Sequence, residues 1–108
     1  MAHEINEIDV HQLKAKREAD EDFILLDVRE EFEAMIASLD GQLIPLDQLG
    51  DRLDEIDRGK EIVVMCRSGN RSAKACGQLL DNGFQQVANL KGGINAWARE
   101  IDPSMPEY

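Results

Sequence analysis

Two cysteines carry the thiol chemistry available to this chain, and they stand in different surroundings. Cys66 closes the apolar run Ile62-Val63-Val64-Met65. It is followed by Arg67-Ser68-Gly69-Asn70-Arg71-Ser72, where Gly and Asn tolerate the positive φ angles of a tight turn. From Arg71 onward Ala73, Cys76, Gly77 and Leu80 recur at helical spacing, and Asn82-Gly83 supplies the stop. A thiol at a strand's C-terminal end, beneath a helix start, faces a nest of backbone N–H groups and the positive end of the helix dipole. Both favour thiolate, and Arg67 and Arg71 add positive charge nearby. Such settings lower a cysteine pKa from ~8.5 into the range of roughly 3.5–7.5. The expected chemistry is nucleophilic attack by the Cys66 sulfur. Cys76 shares the inward helix phase with Ala73 and Leu80 and reads as a small buried side chain, with a resolving thiol as the alternative.

Spacing narrows the ligand. Cys66 and Arg71 are separated by four residues, whereas cysteine phosphatases use C-x5-R to wrap a tetrahedral phosphate. The tighter ring suits a single sulfur atom on Cys66, which favours persulfide chemistry over phosphoryl transfer. Asp27 and Arg29 follow another apolar run, Phe23-Ile24-Leu25-Leu26, on the side of the sheet where α/β proteins bind ligands. They read equally well as a structural ion pair or as part of the site. His3 and His11 have no metal-ligand spacing with either cysteine, so no metal is expected. Gly92-Gly93 and Trp97 read as a helix start and core.

The elements that position these residues follow from periodicity. Phe23–Leu26 and Ile62–Met65 are continuous apolar runs, as in strands buried on both faces. Glu4-Ile5 reads as a brief first strand and Gln86-Val87-Ala88-Asn89-Leu90 as the last. Asp9 is placed to cap a helix that turns Val10 and Leu13 inward. Arg29-Glu30-Glu31-Phe32-Glu33 is expected to begin a short helix, and residues 36–43 read as loop. Leu46, Leu49, Leu53 and Ile56 predict one apolar helix face, broken near Gly50. Arg58-Gly59-Lys60 turns into the central strand. Ile94, Trp97 and Ala98 face inward from a final helix, and residues 101–108, with Pro103 and Pro106, are expected to be extended. Strands alternating with helices imply a parallel sheet with helices on both faces.

Length and charge set the limits. The 108 residues suit one domain with one core. Twenty-two acidic against twelve basic residues give a net charge of −10, which disfavours nucleic acid and anionic membranes as partners. Residues 62–80 contain no acid but hold Arg67, Arg71 and Lys74, so the cysteine loop is expected to be locally basic and open to an anionic donor. Two cysteines are too few for a disulfide framework, no apolar h-region opens the chain, and no run approaches the ~18 residues of a membrane span. A reducing cytoplasm is the expected setting, with the thiols free.

With these pieces in order the chain resembles a single-domain rhodanese. The resemblance is carried by Leu26-Asp27-Val28-Arg29-Glu30 with Phe32, Ile44-Pro45-Leu46, the central run through Cys66-Arg67-Ser68-Gly69-Asn70-Arg71-Ser72, Gly83-Phe84, and Leu90-Lys91-Gly92-Gly93-Ile94-Asn95-Ala96-Trp97. It implies a three-layer α/β fold, a central parallel sheet of about five strands with helices on both faces. It also implies that Cys66 takes sulfane sulfur from a small anionic donor such as thiosulfate and passes it to cyanide or a thiol, without a cofactor. Backbone N–H groups from Arg67 through Ser72 (Arg67, Ser68, Gly69, Asn70, Arg71, Ser72) would hold the persulfide. Arg67 would attract the donor, Arg71 would brace the loop, and Asp27 and Arg29 would support the pocket. Residues 34–43 lack the Gly-His-Ile-Pro pattern that many members carry. The tail is similar to rhodanese domains fused behind adenylyltransferases, which implies a sulfur-carrier protein as an alternative acceptor. A phosphatase or arsenate reductase, and a non-catalytic binding domain, are the competing classes.

Overall fold

Alternation along one central strand explains how this chain builds two cores. In a computed structural model, which describes residues 3–108, strand β4 (Glu61–Met65) turns Ile62, Val64 and then Cys66 to one side and Val63 and Met65 to the other. Successive side chains of a strand point to opposite faces, so a strand clad on both sides must be apolar throughout. The Ile62 side packs with Leu26, Ile44, Leu49, Ala75, Cys76, Leu79 and Phe84. The Val63 side packs with Val10, Leu13, Leu90, Ile94 and Trp97.

Five parallel strands form the sheet in the order β1-β5-β4-β2-β3. They are β1 (Asn6–Ile8), β2 (Phe23–Asp27), β3 (Gln42–Leu43), β4 and β5 (Val87–Leu90). Helices α1 (Val10–Glu18) and α4 (Gly93–Glu100) cover the Val63 face, and α3 (Asn70–Asp81) covers the other. Helix α2 (Glu31–Ile36) follows β2. The three-layer α/β architecture matches expectation. So does the cap of α1: Asp9 Oδ1 accepts from the Gln12 N–H at 2.8 Å, and Gln12 Oε1 accepts from the Asp9 N–H at 2.8 Å. This reciprocal pair satisfies two otherwise orphaned donors.

Several expectations are corrected. The first strand begins at Asn6, after Glu4-Ile5, because its register is set by β5 through Asn6–Ala88 and Ile8–Leu90. Residues 36–43 are not all loop: Ile36 ends α2, and Gln42 and Leu43 pair with Leu26 and Asp27 as an edge strand too short to leave a periodic signature. The helix expected from Leu46 is two 3₁₀ turns, Leu46–Asp51 and Leu53–Glu55, separated at Arg52. The threefold spacing of Leu46 and Leu49 suits 3₁₀ as well as α geometry. In α3 Cys76 is buried as expected, but its buried companions are Ser72, Ala75 and Leu79 in place of Ala73, Gly77 and Leu80.

The tail is also not extended. Asp102 accepts from the Met105 N–H at 3.0 Å in a turn, and Met105 and Tyr108 pack back against the Val63-side core. On α2, Phe32 and Met35 stay exposed at 64% and 86%, beside the carboxylate-bearing face of the same helix. Among the described residues no helix is long and apolar enough to cross a membrane.

Candidate active site

Cys66 is the first residue beyond β4, and alternation directs its side chain toward the start of α3. Gly69 adopts φ +111° at the N-cap of α3, a left-handed conformation that favours glycine. That turn points two backbone N–H groups at sulfur: Gly69 N lies 3.1 Å and Ser72 N 3.4 Å from Cys66 Sγ. Ser72 Oγ approaches Sγ at 3.3 Å. Burial pushes the Cys66 thiol up, but the Ser72 hydroxyl and the N–H groups of Ser72, Gly69 and Ser68 outweigh it, leaving the pKa below that of an ordinary cysteine. The thiol lies at the loop floor, 1% exposed.

Asn89 of β5 holds this loop from beneath. Its side-chain N–H donates to Gly69 O at 3.1 Å, and its Oδ1 accepts from the Ser72 hydroxyl at 2.5 Å. The Ser72 hydroxyl has one proton and two acceptors in reach. It serves Asn89 while Cys66 is a thiol and is free to turn to Sγ when the thiolate forms.

The loop is templated from outside as well. The first N–H groups of α4 clamp it: Ile94 N donates to Cys66 O at 3.0 Å and Asn95 N to Arg67 O at 3.1 Å. Gly93, at φ +60°, is pressed so close that a Cβ would lie 2.4 Å from Arg67 O and 2.5 Å from Cys66 O. The Gly92-Gly93 pair therefore starts a helix, as expected, and also moulds the cysteine loop.

The two loop arginines differ. Arg71 is tied to Glu33 of α2, Nη1 to Oε1 at 2.6 Å and Nη2 to Oε2 at 2.8 Å. Glu33 also accepts from the Tyr108 hydroxyl at 2.7 Å and from the Glu30 N–H at 3.1 Å. The Arg71 guanidinium, aided by Tyr108, holds the Glu33 carboxyl at a pKa of about 2 against desolvation. Arg67 is exposed, has no carboxylate in ion-pair range among the described residues, and lies 5.0 Å above the Tyr108 ring. Ser68 and Asn70 are exposed on the rim.

Asp27 and Arg29 resolve toward structure. Arg29 is fully buried and its Nη2 meets Asp27 Oδ2 at 2.7 Å. Its guanidinium also donates to Glu33 O at 3.3 Å, Ala37 O at 2.9 Å and the Tyr108 hydroxyl at 3.0 Å. It thereby binds the carbonyls of α2 and sets the helix that carries Glu33.

The acid-free span of residues 62–80 does not give an acid-free site, because Glu33 pairs with Arg71, and Glu30 and Asp47 line the neighbouring depression of about 410 Å³ with Val28, Leu46 and Arg71. Cys76 is fully buried, and desolvation raises its pKa to about 12, so it remains a thiol. His3 and His11 are on the surface, beside Asp81 and Glu100. Sequence patterning does not reveal the contributions of Glu33, Asn89 and Tyr108. Each acts across a long stretch of chain, which leaves no local pattern in sequence.

A cysteine sulfur that accepts from the Gly69 and Ser72 N–H groups at the C-terminal edge of a parallel sheet defines a class, and comparison agrees: residues 9–100 match the rhodanese-like domain, and the chain belongs to that family. It is 38% identical over 96 residues to a sulfurtransferase of Allochromatium vinosum, covering 88% of this chain and 90% of that one. It is also 36% identical over 96 residues to the adenylyltransferase and sulfurtransferase MOCS3-1 of Zea mays, covering 82% of this chain but 20% of that protein. A rhodanese-like domain protein from Staphylococcus aureus superposes with a TM-score of 0.79 at 32% identity, covering 86% of this chain and 91% of the other. The chain is thus a sulfurtransferase-family protein.

Proposed function

We propose that this protein is a sulfurtransferase that carries sulfane sulfur on Cys66, taking it from a donor such as thiosulfate and giving it to a thiophilic acceptor. The observation that carries this reading is the convergence of the Gly69 and Ser72 N–H groups and the Ser72 hydroxyl on one sulfur. Such donors stabilise a thiolate before reaction and the negative charge of the persulfide's outer sulfur afterwards.

In the first step the Cys66 thiolate attacks the outer sulfur of thiosulfate. A new S–S bond forms, the donor's S–S bond breaks, and sulfite leaves with the electron pair. The Cys66 persulfide anion then rests in the ring of N–H groups from Arg67 through Ser72. In the second step cyanide attacks the terminal sulfur, thiocyanate departs, and the Cys66 thiolate returns. This is covalent catalysis in two half-reactions, and ping-pong kinetics follow. Arg67 meets the anionic donor; Arg71, engaged by Glu33, braces the loop; Asp27 and Arg29 support the pocket from below. No cofactor takes part. Cys76 stays out of the cycle because its thiol does not ionise near neutral pH.

A second acceptor class is a sulfur-carrier protein. Support comes from the exposed Phe32, Met35 and Ile36 of α2 and from likeness to proteins whose names join adenylyltransferase and sulfurtransferase. The expected setting is a reducing, cytoplasmic one.

The test is intact mass. Wild type treated with thiosulfate gains one sulfur atom, cyanide removes it, and Cys66→Ser gains none. Failure of wild type to gain sulfur from any sulfane donor would sink the proposal.

A further inference from the structure

Tyr108 occupies a position that the sulfur chemistry itself does not demand. Its ring lies beneath the Arg67 guanidinium at 5.0 Å. Its hydroxyl donates to Glu33 Oε2 at 2.7 Å and accepts from Arg29 Nη1 at 3.0 Å. Its backbone is held by the Asn95 side chain, N to Oδ1 at 3.3 Å and O from Nδ2 at 3.2 Å. The ring is therefore fixed at both ends, by the Arg29–Glu33 pair at its tip and by Asn95 at its root.

We propose that Tyr108 is a positioning residue whose ring holds Arg67 over the cysteine loop as the cation that receives the anionic sulfur donor. This rests on the sulfur-transfer reading above. Arg71 is matched by Glu33, and Glu30 and Asp47 line the neighbouring depression, so the mouth is not strongly positive. On a protein with net charge −10, an approaching anion is repelled almost everywhere. Arg67 is the loop guanidinium left without a carboxylate among the described residues. An exposed arginine samples many rotamers, and a cation on an aromatic face loses that freedom in exchange for a favourable contact. The ring thus converts a mobile charge into a placed one.

The experiment compares steady-state sulfur transfer from thiosulfate to cyanide in wild type, Tyr108→Phe, Tyr108→Leu, Arg67→Ala and the Tyr108→Leu/Arg67→Ala double variant. Intact mass after thiosulfate treatment is read alongside. Tyr108→Leu should raise KM for thiosulfate roughly two- to fivefold, the size of an exposed cation–π contact, with a smaller change in kcat. Tyr108→Phe keeps the ring and should restore KM to within about twofold of wild type. Arg67→Ala should raise KM further, and adding Tyr108→Leu to it should raise KM no more, since the ring acts through the arginine. Salt screens the placed Arg67 charge, so the KM difference between wild type and each of Tyr108→Leu and Arg67→Ala should shrink as ionic strength rises. Wild type that takes up sulfur while Tyr108→Leu keeps its KM at low salt overturns this inference alone. Additive losses in the double variant overturn it too, because they mark a purely structural tyrosine. Wild type that takes up no sulfur overturns the sulfur-transfer reading, and this inference with it.

Discussion

Glu33 and Arg71, 38 residues apart, meet in a two-pronged ion pair with Oε1–Nη1 at 2.6 Å and Oε2–Nη2 at 2.8 Å. The pair joins α2 to the first turn of α3 and so fixes the far end of the loop that surrounds Cys66. Paired planar groups of this kind carry geometric specificity as well as energy. A carboxylate buried to 5% exposure is tolerable here because Arg71, Tyr108 and the Glu30 N–H all serve it.

That pair makes stability depend on acid. The folded pKa of Glu33, about 2, lies below the 4.5 of a free glutamate, so its contribution is complete above pH 4.5 and disappears as pH falls toward 2. The corresponding stabilisation is on the order of 2–3 kcal/mol. Glu33→Gln should lose about that much at pH 7 and show a flatter decline between pH 5 and pH 2. Urea unfolding across that range measures both; an unchanged acid limb in the variant would refute the assignment.

The Ser72 hydroxyl should govern thiolate formation at Cys66, which it approaches at 3.3 Å. In wild type, alkylation of Cys66 should rise with pH around a midpoint below that of an ordinary cysteine. Ser72→Ala removes a donor to the thiolate, so the midpoint moves up and the alkylation rate at neutral pH falls severalfold. Iodoacetamide kinetics followed by mass spectrometry decide the matter.

Cys76 should be silent in the same experiment. Its thiol is fully buried with a pKa of about 12, so native protein should take up one equivalent of alkylating agent and unfolded protein two. Cys76→Ala should cost about 1 kcal/mol for the small cavity it leaves. The variant's persulfide loading should match wild type, and a loss of loading would give Cys76 a part in the reaction.

Asp27 and Arg29 test the cost of an unmatched buried charge. Asp27→Asn strips the countercharge from a guanidinium with no solvent exposure and should destabilise by about 3–5 kcal/mol. Replacing both residues with apolar ones of similar size should cost far less than that. Chemical denaturation of the single and double variants reads the difference; equal losses would mean that hydrogen bonds to α2, rather than charge, dominate.

Much of the site is visible in sequence because it is local. Cys66, the turn through Gly69 and the start of α3 fall within one strand–loop–helix unit, where each residue type has a steric or dipolar reason to be there. The β4 run could be read as buried on both faces because no polar residue interrupts it. What sequence conceals is pairing at a distance. Glu33 lies in an acidic stretch beside the exposed Phe32, and nothing nearby marks it as the acid that meets Arg71. Asn89 is a single polar residue in a short apolar run, yet it supports the loop through Gly69 and Ser72. Tyr108 follows two prolines that suggest an extended tail, while its hydroxyl docks on Arg29 and Glu33. The two-residue β3 is shorter than the period needed to recognise it, and the leucine spacing near Leu46 does not separate a 3₁₀ turn from an α-helix.

The close fit of Gly93 against Cys66 O and Arg67 O has a consequence for transplantation. The six residues after Cys66 are half of a two-piece mould, and the other half is the backbone that opens α4. A scaffold given the seven residues from Cys66 to Ser72 alone would inherit the letters without the curvature. Only a host whose neighbouring strand also ends in a glycine-led helix, with its first N–H groups free to clamp two carbonyls, would reproduce the sulfur cradle.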